Sequence, residues 1–383
     1  MKGTTAVNTK HIPVLQPSIG QEEIDAVTEV LKSGWLGLGP KTEQFEKEFA
    51  AHVGSRFMVA LNSGTAALHL ALEVLGIGPG DEVIVPPMTF ISTVHAVSYV
   101  GATPVFADVE KDTMNISAPD IERKITERTK AIIAVHVAGH PCDMDAIHEL
   151  ALERGIKVVE DAAHACGAFY KGRAIGSISS ITCFSFHAVK NLTCGEGGGI
   201  TCHQEWMARK LREKRWVGIS KDTWIRSSSD RIYAWQYFVD KLGYKYHMND
   251  IQAAIGIVQL HRLEQLNGRR KEIASRYRQE LADLAWLELP QEKSYAQSAW
   301  HLFQIKLENE ERRDRLIGHL QEHNIAPGVH YYPCHLQPYY LHLKASVPVS
   351  SAIWKKLLTL PIHPNMTDED QERVIDCVRR FPE

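Results

Sequence analysis

With 43 lysines and arginines against 46 acidic residues among 383, a formal charge of −3, the chain offers no general attraction to nucleic acid or to an anionic membrane. Its 44% hydrophobic and 23% charged composition is that of a globular protein, and its length allows two domains with a core each. Seven cysteines, an odd number without Cys-x-x-Cys spacing, argue against a disulfide framework or a zinc knuckle. No sustained apolar run occurs from Met1 to Val14, and no stretch approaches bilayer length, so a cytoplasmic setting without signal peptide is expected.

Along the chain, Gln21 to Ser33 has helical spacing (Ile24, Val27, Val30, Leu31) and stops at Gly34, and Thr42 to His52 repeats it with Phe45 and Phe49. Asn62-Ser63-Gly64-Thr65 is a small polar turn opening an apolar helix. The amides of Gly64 and Thr65 at its start, with the Thr65 hydroxyl, suit a phosphate. Beyond the turn at Gly76 to Asp81, short apolar segments (Val83 to Val85, Pro104 to Val109, Ala131 to Val137, Val158 and Val159) alternate with helical ones (Ser92 to Tyr99, Ile121 to Ile125, Met144 to Arg154). Such alternation implies crossover connections and a mostly parallel sheet.

Lys157 to Glu160 reads as a strand that delivers Asp161 to its carboxyl end, where open α/β sheets bind ligands. Ser180 to Phe186 reads as a further strand. Lys190 follows it, ahead of Gly195 and Gly197 to Gly199, a cluster expected to let backbone approach a ligand. A lysine held there away from water can lose its proton and attack a carbonyl. Ser220 to Tyr246, polar and aromatic, reads as a long functional excursion. Asn249 to Leu281 reads as one long helix, with or without an interruption, with apolar Ile251, Ala254, Ile255, Val258 and Leu263, leading into a second domain. That domain holds an apolar segment (Leu302 to Leu307), a charged helix (Glu310 to His323) and a closing helix (Asp368 to Arg380). The charge run Glu308 to Arg315 reads as a solvated face. The division is expected as residues 1–255 for the large domain and 256–383 for the small one.

A phosphate-accepting helix start, then an acid at a strand end, then a lysine after a later strand, is what pyridoxal 5′-phosphate (PLP) requires: an anchor, a carboxylate for the ring nitrogen and an amine for the aldehyde. The chain resembles the fold-type I aminotransferases of the DegT/StrS family, which aminate nucleotide-linked sugars. The likeness runs from Gly34-Trp35 and Gly39-Pro40 to Leu360-Pro361-Ile362-His363-Pro364-Asn365-Met366-Thr367. Phe184 to Cys194, Gly243-Tyr244-Lys245-Tyr246 and Ala299-Trp300-His301-Leu302-Phe303 look closest to the branch that makes UDP-4-amino-4-deoxy-L-arabinose.

The resemblance implies an α/β fold: a mostly parallel central sheet with helices on both faces, plus a smaller C-terminal α/β domain. It implies Lys190 as the Schiff-base lysine and proton carrier, and Asp161 as partner of the pyridinium nitrogen. His164 stands near the 3-hydroxyl, Phe90 over the ring, and Ser185 with Gly64 and Thr65 at the phosphate. Lys245, where most of the family has Asn, implies a phosphate contact donated by a neighbouring subunit and hence a homodimer; His247 replaces the family's Arg. Trp35, His330, Tyr331 and His335 are expected near the substrate. The implied reaction moves an amino group from L-glutamate, leaving 2-oxoglutarate, to a nucleotide-linked keto sugar, with C4 favoured through the branch. The products would feed lipopolysaccharide, O-antigen or antibiotic sugars. A PLP-dependent sugar dehydratase is the nearest alternative, disfavoured because such relatives carry His in place of Lys190. A non-catalytic regulatory member is the other, disfavoured by the complete set of catalytic residue types. An α-amino-acid aminotransferase would use a late arginine, whereas Arg312, Arg313, Arg315, Arg373, Arg379 and Arg380 read as solvated.

Overall fold

A computed structural model describes residues 10–219, 237–239 and 241–382. The first nine strands are β1 (Phe57–Leu61), β2 (Glu82–Val85), β3 (Thr103–Phe106), β4 (Thr129–Val135), β5 (Lys157–Asp161), β6 (Phe169–Tyr170), β7 (Arg173–Ala174), β8 (Ile181–Ser185) and β9 (Gly198–Cys202). Seven of them form the central sheet, in the order β1-β9-β8-β5-β4-β2-β3. From β8 to β3 every pairing is parallel, while β9 runs antiparallel to both its neighbours.

The strands are apolar on both sides because both faces are covered. Alternate residues go to opposite cores. Val59, Leu61, Ile133 and Val135 pack on one face with Ala67, Leu70, Val94 and Leu211 of three helices (Gly64–Leu75, Ser92–Tyr99, Glu205–Arg215). Met58, Ala60, Ile132 and Ala134 pack on the other with Phe45, Phe49, Ile147 and Ile257. A third core holds Ile273, Tyr277, Phe303, Leu316 and Val374 around a three-stranded sheet of β10 (Leu287–Glu288), β12 (Phe303–Leu307) and β13 (Leu357–Leu360). Ile12, near the start of the described chain, belongs to this third core and bridges to Ile325. The short β11 (Ala296–Gln297) pairs instead with β6, tying the two parts together.

Asn249 caps the helix Asp250–Glu280, accepting from the Gln252 amide, and the helix runs without interruption for 31 residues. Its Ala253, Ile257, Leu260 and Leu263 pack into the large core, its Ile273 and Tyr277 into the third. The expected boundary at 255/256 thus falls inside one helix. The buried stripe is partly rotated from expectation: Ala254 and Leu263 are buried, but Ile251, Ile255 and Val258 are only half-buried, while Ala253, Gly256 and Ile257 also face inward.

Two further expectations change. Gly198 and Gly199 lie in β9, where Gly198 lets the strand approach the helix start and Gly199 makes room for the Met58 and Phe186 side chains. A Cβ on Gly198 would sit 2.2 Å from the Ser63 carbonyl oxygen, and one on Gly64 2.9 Å from the Ser185 Cβ. Arg313, in the charge run, is buried, donating to the Trp354 carbonyl and to Asp314. Most of the excursion expected from Ser220 lies outside the described residues. Among the described residues no helix is long and apolar enough to cross a membrane.

Asp250 joins two helix starts. It is buried, and it accepts from the amides of Gly39 (3.0 Å), Lys41 (3.0 Å) and Thr42 (2.9 Å) and from the Thr42 hydroxyl (2.7 Å), at the N-terminus of Pro40–Val53. Removing this acceptor strands several buried donors at once. Asp250→Ala is expected to lower the denaturant resistance of the fold by about 3 kcal/mol or more. Glu43→Ala, which breaks the exposed pair with Lys47, should cost about 0.5 kcal/mol or less in the same assay.

Candidate active site

Consecutive residues at the end of β5 point to opposite faces and do different work. Glu160 meets His136 (2.9 Å) and accepts from the Ser179 amide and the Thr182 hydroxyl. The Cys142 amide donates to His136 Nδ1, so the N–H that faces Glu160 is the one on Nε2. Asp161 points the other way, into a cavity of about 360 Å³. Its Oδ2 accepts from the Thr93 hydroxyl (2.8 Å) and its Oδ1 from the Ala163 amide (3.1 Å). Burial pushes the Asp161 carboxyl up from the ordinary range, and those two donors with the nearby Lys190 charge oppose the shift.

The turn after β8 carries Lys190, its amide donating to the His187 carbonyl (2.9 Å). The residue keeps some exposure through the cavity mouth, but its amine lies deep among protein atoms. Burial brings it down to about 8, against a pull upward from Asp161. Across the cavity, Ser63 Oγ caps the Ala66 amide and leaves the amides of Gly64 and Thr65 at the positive end of that helix for an anion. The Thr65 hydroxyl is held by Ser92 (2.8 Å).

His164 is buried, its Nε2 meeting the Tyr331 hydroxyl at 3.0 Å and its Nδ1 left without a partner. Burial first, and then the Lys190 charge, hold the ring well below the ordinary histidine range, so it is neutral. His330 bonds the Thr359 hydroxyl through Nδ1 (2.9 Å), and burial lowers it to about 4. Phe90, 57% exposed, stands at the mouth with its ring centroid 6.3 Å from that of Tyr331.

Nine of the twelve expected site residues line this one cavity: Gly64, Thr65, Phe90, Asp161, His164, Ser185, Lys190, His330 and Tyr331. Three do not. His335 turns away in the short helical turn Cys334–Leu336, bonding Ser351 (2.9 Å) and packing its ring on Phe106. Trp35 gives its indole N–H to the Leu38 carbonyl and packs close to Gly39, outside its own chain's cavity. Lys245 is exposed, its ammonium 3.4 Å from the centroid of the Trp216 ring. His247, in the position of the family's Arg, packs edge-on against the same indole (4.3 Å) and is held neutral near 4 by burial and by Lys245 and Arg215.

Thr93 and His301 were not expected in the site. Thr93 is the second residue of the helix Ser92–Tyr99, with no local signal to mark it. His301 lies within a stretch that carried only family likeness, yet its Nε2 is 3.5 Å from the Lys190 amine. A larger hollow, about 670 Å³, lies over Pro40–Val53 beside the Glu46–Arg215 and Glu46–Arg212 ion pairs and does not include Lys190.

The sequence profile of the DegT/DnrJ/EryC1/StrS aminotransferase family matches residues 17–379. The chain belongs to that family. It is 46% identical over 376 residues to the spore coat polysaccharide biosynthesis protein SpsC of Bacillus subtilis (strain 168), covering 96% of each chain. Its fold is similar to that of the putative sugar aminotransferase Spr1654 of Streptococcus pneumoniae. The PMP form of that protein matches with TM-score 0.91 and 36% identity over 96% of this chain and 98% of that one. The PLP form matches with TM-score 0.90 and 34% identity over 98% and 100%. As a DegT/DnrJ/EryC1/StrS member the protein is a PLP-dependent transaminase, and the expected α/β aminotransferase fold is the one observed.

An amine lowered to about 8 is charged below that pH and nucleophilic above it. In cofactor-free protein, competitive labelling of Lys190 with an amine reagent, read by mass spectrometry, should rise with pH through a midpoint near 8. A labelling curve that keeps rising toward 10.5, the ordinary lysine value, would contradict the burial argument.

Proposed function

We propose that this transaminase moves the amino group of L-glutamate to a nucleotide-linked keto sugar, with Lys190 as the catalytic amine. The observation that carries the reading is the placement of Lys190 and Asp161 in one cavity that also opens onto the helix start at Gly64. The cavity fits the cofactor on three counts. The free amides of Gly64 and Thr65 suit a phosphate. The carboxylate of Asp161, held by Thr93 and Ala163, suits a protonated ring nitrogen. The unpartnered Nδ1 of buried His164 suits a polar ring substituent.

When bound, PLP supplies an electrophilic aldehyde and a cationic ring that takes up electron density from the carbon losing its proton. Lys190 brings an amine that is partly unprotonated near neutral pH, able to attack and later to carry a proton from the donor's carbon and return one to the sugar carbon. Asp161 keeps a negative charge where the ring nitrogen must stay positive. Neutral His164 and Tyr331, bonded to one another, close one wall against water.

Among the described residues lining the cavity, Lys190 is the only lysine or arginine. A sugar nucleotide and glutamate both bring several negative charges, so further cations are needed from elsewhere. Lys245, exposed and outside its own chain's cavity, supports a dimer in which each copy lends this lysine to its partner's phosphate site. The C4 ketone is favoured over C3 by the likeness to the 4-amino-arabinose branch.

Incubating the protein with L-glutamate and a panel of UDP-, GDP- and dTDP-linked 4-keto and 3-keto sugars should yield one amino sugar by mass. Lys190→Ala should reduce that yield by about 10²- to 10⁴-fold. Amination of a free keto acid in place of every keto sugar would overturn the substrate reading. The shared site has its own test. If Lys190→Ala and Lys245→Ala are each inactive, unfolding and refolding them together should restore about a quarter of wild-type activity, since half the dimers then hold one intact site. No recovery on mixing would leave Lys245 without a role across the interface.

A further inference from the structure

We propose that His301 is a positioning residue for Lys190, its Nε2 lone pair holding one N–H of the amine and so fixing where the amine's own lone pair points. The inference rests on the reading of Lys190 as the reactive amine. It starts from a chain of hydrogen bonds whose direction is determined at every link. The Asn191 side-chain nitrogen donates to the Ala299 carbonyl (2.7 Å) and to Asn267 Oδ1 (2.8 Å). A carbonyl can only accept, so the orientation of the Asn191 amide is set, and its Oδ1 faces His301 Nδ1 at 2.9 Å. Asn267 is set in the same way, its nitrogen donating to the Cys166 carbonyl (3.0 Å).

His301 must then carry its proton on Nδ1 and leave Nε2 as an acceptor, and that atom lies 3.5 Å from Lys190 Nζ. An N–H directed at His301 leaves the nitrogen's lone pair on another side, free to react. Burial, with the Lys190 charge next, keeps the His301 ring far below the ordinary histidine range. It is therefore too weak a base to store the proton, and orientation is the role left to it.

The backbone around His301 is held against its own preferences. Trp300, immediately before it, has φ of 47° and Ala138 has φ of 57°, both in the left-handed region that non-glycine residues avoid. The residues on either side of Trp300 tie it to the other turn: His301 N–H donates to the Ala138 carbonyl (2.9 Å) and Ala299 N–H to that of Gly139 (3.1 Å). A side chain on Gly139 would come 2.9 Å from the His164 carbonyl oxygen and 3.1 Å from the Trp300 nitrogen. The His164 and His301 rings lie against each other, centroids 4.4 Å apart. The imidazole is thus fixed by backbone, by Asn191 and by the tilted ring contact with His164, which is what a positioning group needs.

The test uses cofactor-free protein and does not depend on turnover. Capture of PLP by Lys190 forms a carbon–nitrogen double bond while the aldehyde oxygen leaves as water with the two amine protons, and it is followed by near-visible absorbance. Binding of 4-deoxypyridoxine 5′-phosphate, which lacks the aldehyde, reports on the pocket alone. His301→Leu should slow capture roughly tenfold or more with analogue affinity unchanged, and His301→Gln, which keeps an acceptor, should recover most of the rate. Three results would overturn the proposal: capture at the wild-type rate in His301→Leu, loss of analogue affinity in step with capture, or His301→Gln as slow as His301→Leu. Failure of the underlying reading looks different, because borohydride trapping in the wild-type protein would then place the label elsewhere than on Lys190.

Discussion

Everything in this site depends on holding an amine and a carboxylate in the same sheltered cavity without letting either settle the charge of the other. Burial pushes both toward neutrality, and their mutual attraction pushes both toward ionisation. The balance leaves Lys190 near 8, poised between nucleophile and proton carrier. Asp161 is supported by Thr93 and Ala163, which favour its ionised form. Neither group could be placed alone: an unpaired carboxylate or ammonium would pay a desolvation penalty of several kcal/mol.

That arrangement is a product of sheet order. β5 and β8 are neighbours, so the acid at the end of one and the lysine after the other converge although separated by 28 other residues in sequence. The reversed strand β9, inserted between β8 and β1, brings in the anion-accepting helix start. Its Gly198 allows the Ser63-Gly64 backbone to press against it, and Gly64 in turn lies against Ser185. Strand and helix start approach more closely than any side chain would allow, and Ser185, Gly64 and Thr65 come to share one wall.

Much of this was legible in the sequence, and the reasons divide by range. Alternating apolar segments placed the parallel strands, and Asp161, Lys190 and Gly64-Thr65 stood out because each combined a residue type with a position at the end of an element. β9 was hidden because a glycine run has no apolar alternation to mark it as a strand. His301 and Thr93 were hidden because their importance comes from contacts more than sixty residues away, Thr93 with Asp161 and His301 with Lys190. His335 misled for the converse reason: a histidine in a loop says nothing about which way the loop turns, and here it turns onto Phe106 and Ser351. Arg313 misled because a charged run does not reveal that the Trp354 carbonyl waits beneath one of its members. Trp35 and Lys245 lie away from the cavity through local contacts, the one with the Leu38 carbonyl and the other with the Trp216 ring.

The helix Asp250–Glu280 has a consequence for how small molecules reach the chemistry. At 1.5 Å per residue its 31 residues make a rod about 46 Å long, embedded in the large core at one end and in the third core at the other. His301, His330 and Tyr331 reach the cavity from beyond that rod, and the remaining walls come from before it. A clamshell opening of the two parts would have to bend the rod or tear it from one of its beds. Any opening that keeps the rod straight must come from the segments at the rim, where the half-exposed ring of Phe90 stands.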